Sequence, residues 1–185
     1  MDTIQLMIDE HKYIKRMLQV VRKASLNILQ GGGIDFNDFY QMIDFVRNYA
    51  DNHHHGKEEK LLFNRMVEEL GPLGEKLIRH GMLVEHDLGR LYMKDLEAAL
   101  LKVRDGDEEA KIDVIANAVS YTNLLNRHID KEDTVIYTFA QRSLSPESMN
   151  EINIACDKFE AEMEVQKVQE KYIHLVETLE AKYKV

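Results

Sequence analysis

The chain has 185 residues, 44% of them hydrophobic and 31% charged, which is the balance of a soluble globular protein with a sizeable core. Its formal net charge of −9, with basic residues interspersed among acids, argues against nucleic acid or an anionic membrane surface as a partner. A single cysteine, Cys156, excludes an intramolecular disulfide framework and favours a cytoplasmic location, and we expect neither a signal peptide nor a membrane span.

Apolar residues recur at helical spacing through most of the chain, so the sequence predicts an all-α protein. Four long helices are predicted, over about 3–29, 35–70, 74–104 and 108–142. The run Gly31–Gly33 ends the first helix, and Asp35 is the predicted N-cap of the second. Because short loops make neighbouring helices antiparallel, residues 1–143 are predicted to form an up-down-up-down four-helix bundle.

The C-terminal part of the chain continues the helical pattern. Ser145 followed by Pro146 is a start signal, with a capping hydroxyl and then proline at the first helical position. The pattern extends to Val185 as one helix or as two helices joined near 160–165. We expect residues 144–185 to form an additional helix or helices that pack on the bundle.

A pattern of histidines and carboxylates occurs twice along the chain. His11 recurs as His86, 75 positions later, and the pair that begins at His54 recurs 74 positions later, beginning at His128. Side chains four residues apart on a helix point to the same side, so each histidine–glutamate pair aims at a common point. Imidazole and carboxylate together suit iron, manganese or zinc. The predicted metal ligands are His11, His54, Glu58, His86, His128 and Glu132.

The number of predicted ligands favours two metal ions in the core of the bundle. Four imidazoles and two bridging carboxylates exceed what one tetrahedral zinc ion accepts. With an oxygen bridge added, two six-coordinate ions would each lack about one ligand. Open positions on a redox-active pair of ions are where dioxygen, peroxide or nitric oxide would bind.

Two neighbouring residues compete with the predicted ligands. The run of histidines at 53–55 offers His55 in place of His54, and Asp133 competes with Glu132. The internal repeat favours His54, and on an ideal helix Asp133 points about 140° away from the histidine five residues before it. We therefore rank His55 and Asp133 second and expect one ligand and two bystanders, in part facing solvent, in the histidine run.

Other polar side chains have ordinary interpretations. Glu10 and Glu85 are expected at the helix surface or as acceptors for the second ring nitrogen of a metal-bound histidine. His80 and His174 have no counterpart in the repeat and are predicted at the surface. Cys156 is predicted to be a buried structural thiol.

At the repeated positions the chain resembles the hemerythrin-like HHE cation-binding family. The resembling segments are Asp9-Glu10-His11, His54–Glu59 with Leu62-Phe63, Gly71-Pro72-Leu73, Val84-Glu85-His86 with Gly89-Arg90, and His128–Asp133. The resemblance covers the whole bundle and implies a non-haem centre of two iron ions per chain, with an oxo or hydroxo bridge. It also implies a role in oxygen carriage, oxygen or redox sensing, peroxide decomposition, iron handling, or the response to nitric oxide.

One departure from the oxygen-carrying members of that family affects the expected function. Those members place a second histidine one turn before the histidine of the third helix, where this chain has Met82. We expect a wider opening there, or a substitute ligand such as a tyrosine, His55 or water. Glu59 and Asp133 stay open as further ligands.

We therefore predict a non-haem di-iron protein that binds or senses dioxygen, peroxide or nitric oxide. One alternative is a di-iron enzyme that decomposes hydrogen peroxide or reduces oxygen, with an electron-donor protein as its partner. Another is iron storage, iron handling or the repair of iron centres. The sequence leaves open any catalytic residue, the metal used in the cell, and the oligomeric state.

Overall fold

The computed structural model describes residues 2–185, which form six long helices and no β-strand. The helices are α1 (Thr3–Leu29), α2 (36–69), α3 (71–104), α4 (111–143), α5 (Pro146–Val165) and α6 (Val168–Tyr183). The predicted all-α fold, a four-helix bundle with additional C-terminal helices, is confirmed. Over residues 2–185, no helix combines the length and the apolar character that a membrane crossing requires.

Three helices begin at side-chain caps, two of which were predicted. The Asp35 carboxylate accepts from the backbone N–H of Asp38, and the Ser145 hydroxyl accepts from the backbone N–H of Ser148. At the start of α1, Asp2 accepts from the N–H of Ile4. Each cap satisfies a backbone donor that has no partner within its helix.

The third helix begins at Gly71, earlier than the predicted start near residue 74. Gly71 has a φ of 58°, and Pro72 lies in the first turn, where its missing N–H removes no helical hydrogen bond. Gly74 lies against the preceding helix, and a Cβ there would come within 2.2 Å of the Met66 carbonyl oxygen. Residues 71–74, which lie between the two predicted helices, are therefore the first turn of α3, packed closely against the end of α2.

Two further boundaries differ from the predicted ones. The fourth helix begins at Lys111 rather than near 108, because residues 108–110 form a turn. The C-terminal extension consists of two helices that meet at Lys167, whose φ of 53° is left-handed, rather than near 160–165.

Two hydrophobic clusters fill the bundle, with a layer of buried polar residues between them. Along α1, His11 lies between Met7 of the smaller cluster and Ile14 of the larger one. The same alternation recurs along α2, α3 and α4. The fold therefore holds imidazole and carboxylate groups in a layer shielded from water on both sides.

The two C-terminal helices lie on the bundle. Tyr172 and Val176 of α6 belong to the larger cluster, and Ile152 of α5 belongs to the smaller one. The division into a bundle domain at 1–143 and an extension at 144–185 stays a prediction.

Three bundle helices contain π-helical turns near the polar layer. These segments are Val46–His55 and Glu58–Leu62 in α2, Ile78–Met82 in α3, and Glu132–Ile136 in α4. A π-helical turn holds an extra residue and is frequent at functional sites. It changes which of the following side chains face the interior, so the spacing of an ideal α-helix does not predict every side-chain direction beyond it.

Candidate metal centre

The four repeated histidines converge on the polar layer as two pairs. The Nε2 atoms of His11 and His54 lie 2.8 Å apart, and those of His86 and His128 lie 3.0 Å apart. All four residues are at most 2% exposed. The first pair joins α1 to α2, and the second pair joins α3 to α4.

The two repeated glutamates lie between the histidine pairs. Glu132 places Oε2 at 3.3 Å from the Nε2 of His11 and Oε1 at 2.9 Å from that of His128. Glu58 places Oε2 at 3.7 Å from the Nε2 of His54 and 3.6 Å from that of His86. Each carboxylate therefore reaches both pairs, as a bridging ligand must.

Most of the carboxylate oxygens at the centre of this group have no hydrogen-bond partner. Glu58 Oε2 and both oxygens of Glu132 are buried and form no hydrogen bond, and the groups that face them are the Nε2 atoms of the repeated histidines. Burying a carboxylate oxygen without a partner is costly, so such atoms call for a cation. Together with the inward Nε2 atoms they form a nitrogen and oxygen donor set that suits iron, manganese or zinc.

A seventh side chain, that of His55, joins the group. Its ring stacks on that of His86 with centroids 3.8 Å apart, and it is 6% exposed. Around Glu58 the potential ligand atoms form two groups, each with all atoms within 4.8 Å of one another: His11, His54, Glu58 and Glu132, and His55, Glu58, His86 and His128. Glu58 belongs to both groups. A third group of the same kind, Glu10, His53 and Glu160, lies outside them.

The expectation that the histidine run 53–55 faces solvent in part is wrong, whereas the expectation of one ligand and two bystanders stays a prediction. All three rings are buried: His54 and His55 join the metal group, and His53 contacts Glu160 of α5. The missing histidine at Met82 was the sequence signal for a substitute. His55 was one of the substitutes considered, beside a tyrosine and water, and the sequence did not decide between them because the π-helical turns of α2 set where that ring points.

The outer nitrogen of each repeated histidine contacts a carboxylate. The Nδ1 contacts are His11 with Asp133 at 2.7 Å, His54 with Glu10 at 2.7 Å, His86 with Glu59 at 2.7 Å, and His128 with Glu85 at 2.9 Å. A carboxylate can only accept there, so each Nδ1 carries the proton and each Nε2 is left free for a metal. Asp133 and Glu59 thus lie outside the ring of inward ligand atoms.

The pKa values of the histidines in the group differ according to their surroundings. Burial, and then the charges of neighbouring histidines, lower the pKa of His55 to about 3, and burial likewise lowers the pKa of His54. Burial would also lower the pKa of His128, but the adjacent Glu132 carboxylate and the Glu85 hydrogen bond raise it to about 9. His54 and His55 are therefore neutral and ready to bind a metal, whereas His128 must first lose a proton.

A tyrosine makes the two halves of the site different. The Tyr137 hydroxyl donates to Glu58 Oε1 at 2.6 Å, and its ring stacks on His11 with centroids 5.8 Å apart. Its counterpart in the repeat, Phe63, stacks on His86 at 5.9 Å and has no hydroxyl. One of the two repeated glutamates, Glu58, therefore has a buried phenol hydrogen-bonded to it.

A cavity of about 140 Å³ adjoins the second group of ligand atoms. Its lining comprises Val46, Arg47, Asp51, His55, His86, Gly89, Arg90, Met93 and Tyr121. His55 and His86 form its buried side, whereas Arg90 is exposed and donates to Asp51 and Glu59. The cavity therefore connects two candidate ligands to an ion-paired arginine at the surface.

Comparison with known proteins agrees with this geometry. A search of curated proteins found no match. The family model that describes the hemerythrin HHE cation-binding domain matches residues 2–140, which include all seven inward-facing ligand candidates. Because the match covers most of the chain, the protein belongs to the hemerythrin HHE cation-binding domain family.

Proposed function

We propose that this protein holds two iron ions and binds or senses dioxygen or a related small oxidant, such as peroxide or nitric oxide. The proposed ligands are His11, His54, Glu58, His86, His128 and Glu132, with His55 in place of the histidine absent at Met82. The single observation that carries the proposal is the set of unpartnered buried oxygens of Glu58 and Glu132 between two histidine pairs.

The residues around the candidate ligands support this function. Four acidic side chains hold the outer ring nitrogens and orient the inward ones. The apolar clusters exclude water from the layer, and the cavity at His55 and His86 has room for a ligand of a few atoms. Two iron ions held there would supply one-electron chemistry and open positions for such a ligand.

Metal analysis and spectroscopy test the proposal. Protein purified without added metal should contain two iron ions per chain and absorb in the near ultraviolet. When the anaerobically reduced protein is mixed with dioxygen in a stopped-flow instrument, a new charge-transfer absorption should form. Protein that retains no metal, or reduced protein whose spectrum does not respond to dioxygen, peroxide or nitric oxide, would contradict it.

A second candidate function, decomposition of hydrogen peroxide, is favoured by the phenol beside the site. Tyr137 donates to Glu58, and such a buried hydroxyl can supply a proton to a reacting oxygen nearby. Turnover of peroxide by the iron-loaded protein should then fall sharply in Glu58→Ala and in Tyr137→Phe, but not in the exposed control Glu68→Ala. Equal rates in all four proteins would reject this function.

A further inference from the structure

The two halves of the candidate centre differ at a repeated lysine. Lys57 and Lys131 occupy equivalent positions, and each contacts the carboxylate that holds a candidate ligand: Glu10 for Lys57 and Glu85 for Lys131. The side chain of Lys131 is 46% exposed, whereas that of Lys57 is 0% exposed. The two lysines occupy equivalent positions in the repeat, but one is solvated and the other is buried.

Helix α5 is what buries Lys57. Glu160 of α5 places Oε1 at 2.5 Å from Lys57 Nζ and at 2.8 Å from His53 Nε2. The neighbouring Phe159 ring lies 5.9 Å from the ammonium and stacks on His53. Both α5 residues lie beyond residues 2–140, so they are additions to the part of the chain that the family model describes.

Because Lys57 is buried, its charge interacts strongly with the two carboxylates that contact it. The Lys57 ammonium lies between the Glu10 and Glu160 carboxylates, where little water screens them. Burial alone would raise the pKa of Glu160, but the His53 hydrogen bond and the Lys57 charge lower it to about 2. Glu160 is therefore an anion at neutral pH and shares the positive charge of Lys57 with Glu10.

We propose that Glu160 is a positioning residue for the metal centre, acting through Lys57 and Glu10 on His54. The inference rests on the proposed metal function. Glu10 accepts from the Nδ1–H of His54 at 2.7 Å, and such an acceptor orients a metal-bound imidazole and makes it more basic. Without Glu160, the Lys57 charge falls on Glu10 alone, which then accepts less strongly, and His54 becomes a weaker ligand.

The proposal makes the two metal positions unequal. His128 is held by Glu85 and the solvated Lys131, and no residue equivalent to Glu160 contacts that lysine among the ion pairs of residues 2–185. The C-terminal extension therefore tunes the ion that His11 and His54 would hold, and not its neighbour. Loss of Glu160 should weaken one of two ions only.

The first test needs no metal. In metal-free Glu160→Gln, the NMR signal of the His54 Nδ1 proton should move upfield, because its hydrogen bond to Glu10 is weaker. The control is Glu164→Gln, an exposed residue one turn further along α5 that lines the same surface cavity as Glu160. An unmoved His54 signal in Glu160→Gln, or equal movement in both variants, overturns the proposal.

The second test measures metal binding. An anaerobic iron(II) titration against a competing chelator should show an affinity loss of about tenfold at one of two sites in Glu160→Gln, near the lower end of the range for losing a carboxylate that holds a ligand. Lys57→Met removes the charge that draws on Glu10, so it should tighten binding at the His54 position, and by more than its counterpart Lys131→Met tightens the other position. Glu160→Gln should have no further effect in the Lys57→Met background.

The outcomes of these tests separate the two proposals. Equal effects of the two lysine variants on affinity, or a Glu160→Gln effect that persists without Lys57, overturn the positioning role while leaving the metal function intact. A wild-type protein that binds no iron refutes the metal function, and the His54 proton signal then still decides whether Glu160 acts on that ring. Glutamine has the same shape as glutamate, so Glu160→Gln should fold, and circular dichroism would verify this. If Lys57→Met does not fold, the Glu160→Gln measurements alone decide the proposal.

Discussion

Replacing Glu58 by glutamine should stabilise the metal-free protein and remove most of the stabilisation that metal binding provides. Glu58 is fully buried, its Oε2 has no partner, and Glu132 lies within 4.8 Å. Burial and then the charge of Glu132 raise the pKa of Glu58. The charged form is thus disfavoured in the folded state, whereas glutamine is uncharged and keeps an oxygen that accepts from Tyr137.

The expected magnitude follows from the cost of an unpartnered buried group, about 1–3 kcal/mol. A gain of about 2 kcal/mol in the free energy of unfolding corresponds to an increase of about 4–8 °C in Tm for a chain of this size. The pKa of Glu58 is raised in the folded state, whereas the unfolded chain ionises near the ordinary value of 4.5. The contribution of Glu58 to the free energy of unfolding therefore falls as the pH rises above 4.5. The advantage of Glu58→Gln should therefore be small below pH 4.5 and larger at pH 7.

Calorimetry of metal-stripped and anaerobically iron(II)-loaded protein measures both effects. At a free metal concentration of about 100 times Kd, the free energy of unfolding of the wild type should rise by about 2.7 kcal/mol, and that of Glu58→Gln should rise much less. The control is Glu59→Gln, which should destabilise the metal-free protein because Glu59 accepts from His86 and Arg90. If metal-free Glu58→Gln melts below wild type, the assignment of Glu58 as a carboxylate lacking its cation is refuted.

Three further predictions concern the ligands and the cavity. Gly89→Leu, whose Cβ would lie 3.5 Å from Tyr121, should fill the cavity and slow the binding of nitric oxide to the reduced protein in stopped-flow experiments, whereas the exposed control Ala98→Leu should not. His55→Ala should reduce bound iron from two ions to one, measured by metal analysis; two retained ions would exclude His55 as a ligand. Because the pKa of His128 is about 9, iron(II) binding at pH 7 should release a proton, and affinity should rise by up to about tenfold per pH unit towards pH 9. Calorimetry in two buffers of different ionisation enthalpy measures that release, and its absence would contradict the pKa assignment.

The internal repeat was sufficient to predict six of the inward-facing residues. A histidine and a glutamate four residues apart share a helix face, and the repeat of His54 and Glu58 at His128 and Glu132 places two such faces in one layer. The helices also follow local signals, such as the caps at Asp35 and Ser145. Both kinds of information depend on residues close together in sequence.

The remaining features depend on how helices rotate against one another. Glu10 holds His54 of the next helix rather than its own neighbour His11, which no spacing within α1 could indicate. The position of His55 depends on π-helical turns, for which the sequence offered no signal. Glu160 contacts Lys57 from a helix outside the repeat, so no internal comparison pointed to it.

The repeat thus supplies equivalent ligand candidates to the two proposed metal positions, which the rest of the chain makes unequal. On one side, His55 adds a third imidazole where the repeat has Ile129, and the cavity reaches that side. On the other side, a phenol and a buried lysine–glutamate chain act on the ligands. A ligand arriving through the cavity would therefore meet the three-histidine position first, while the opposite position holds the proton donor. If the two halves were identical, ligand entry and proton donation would no longer be assigned to different positions.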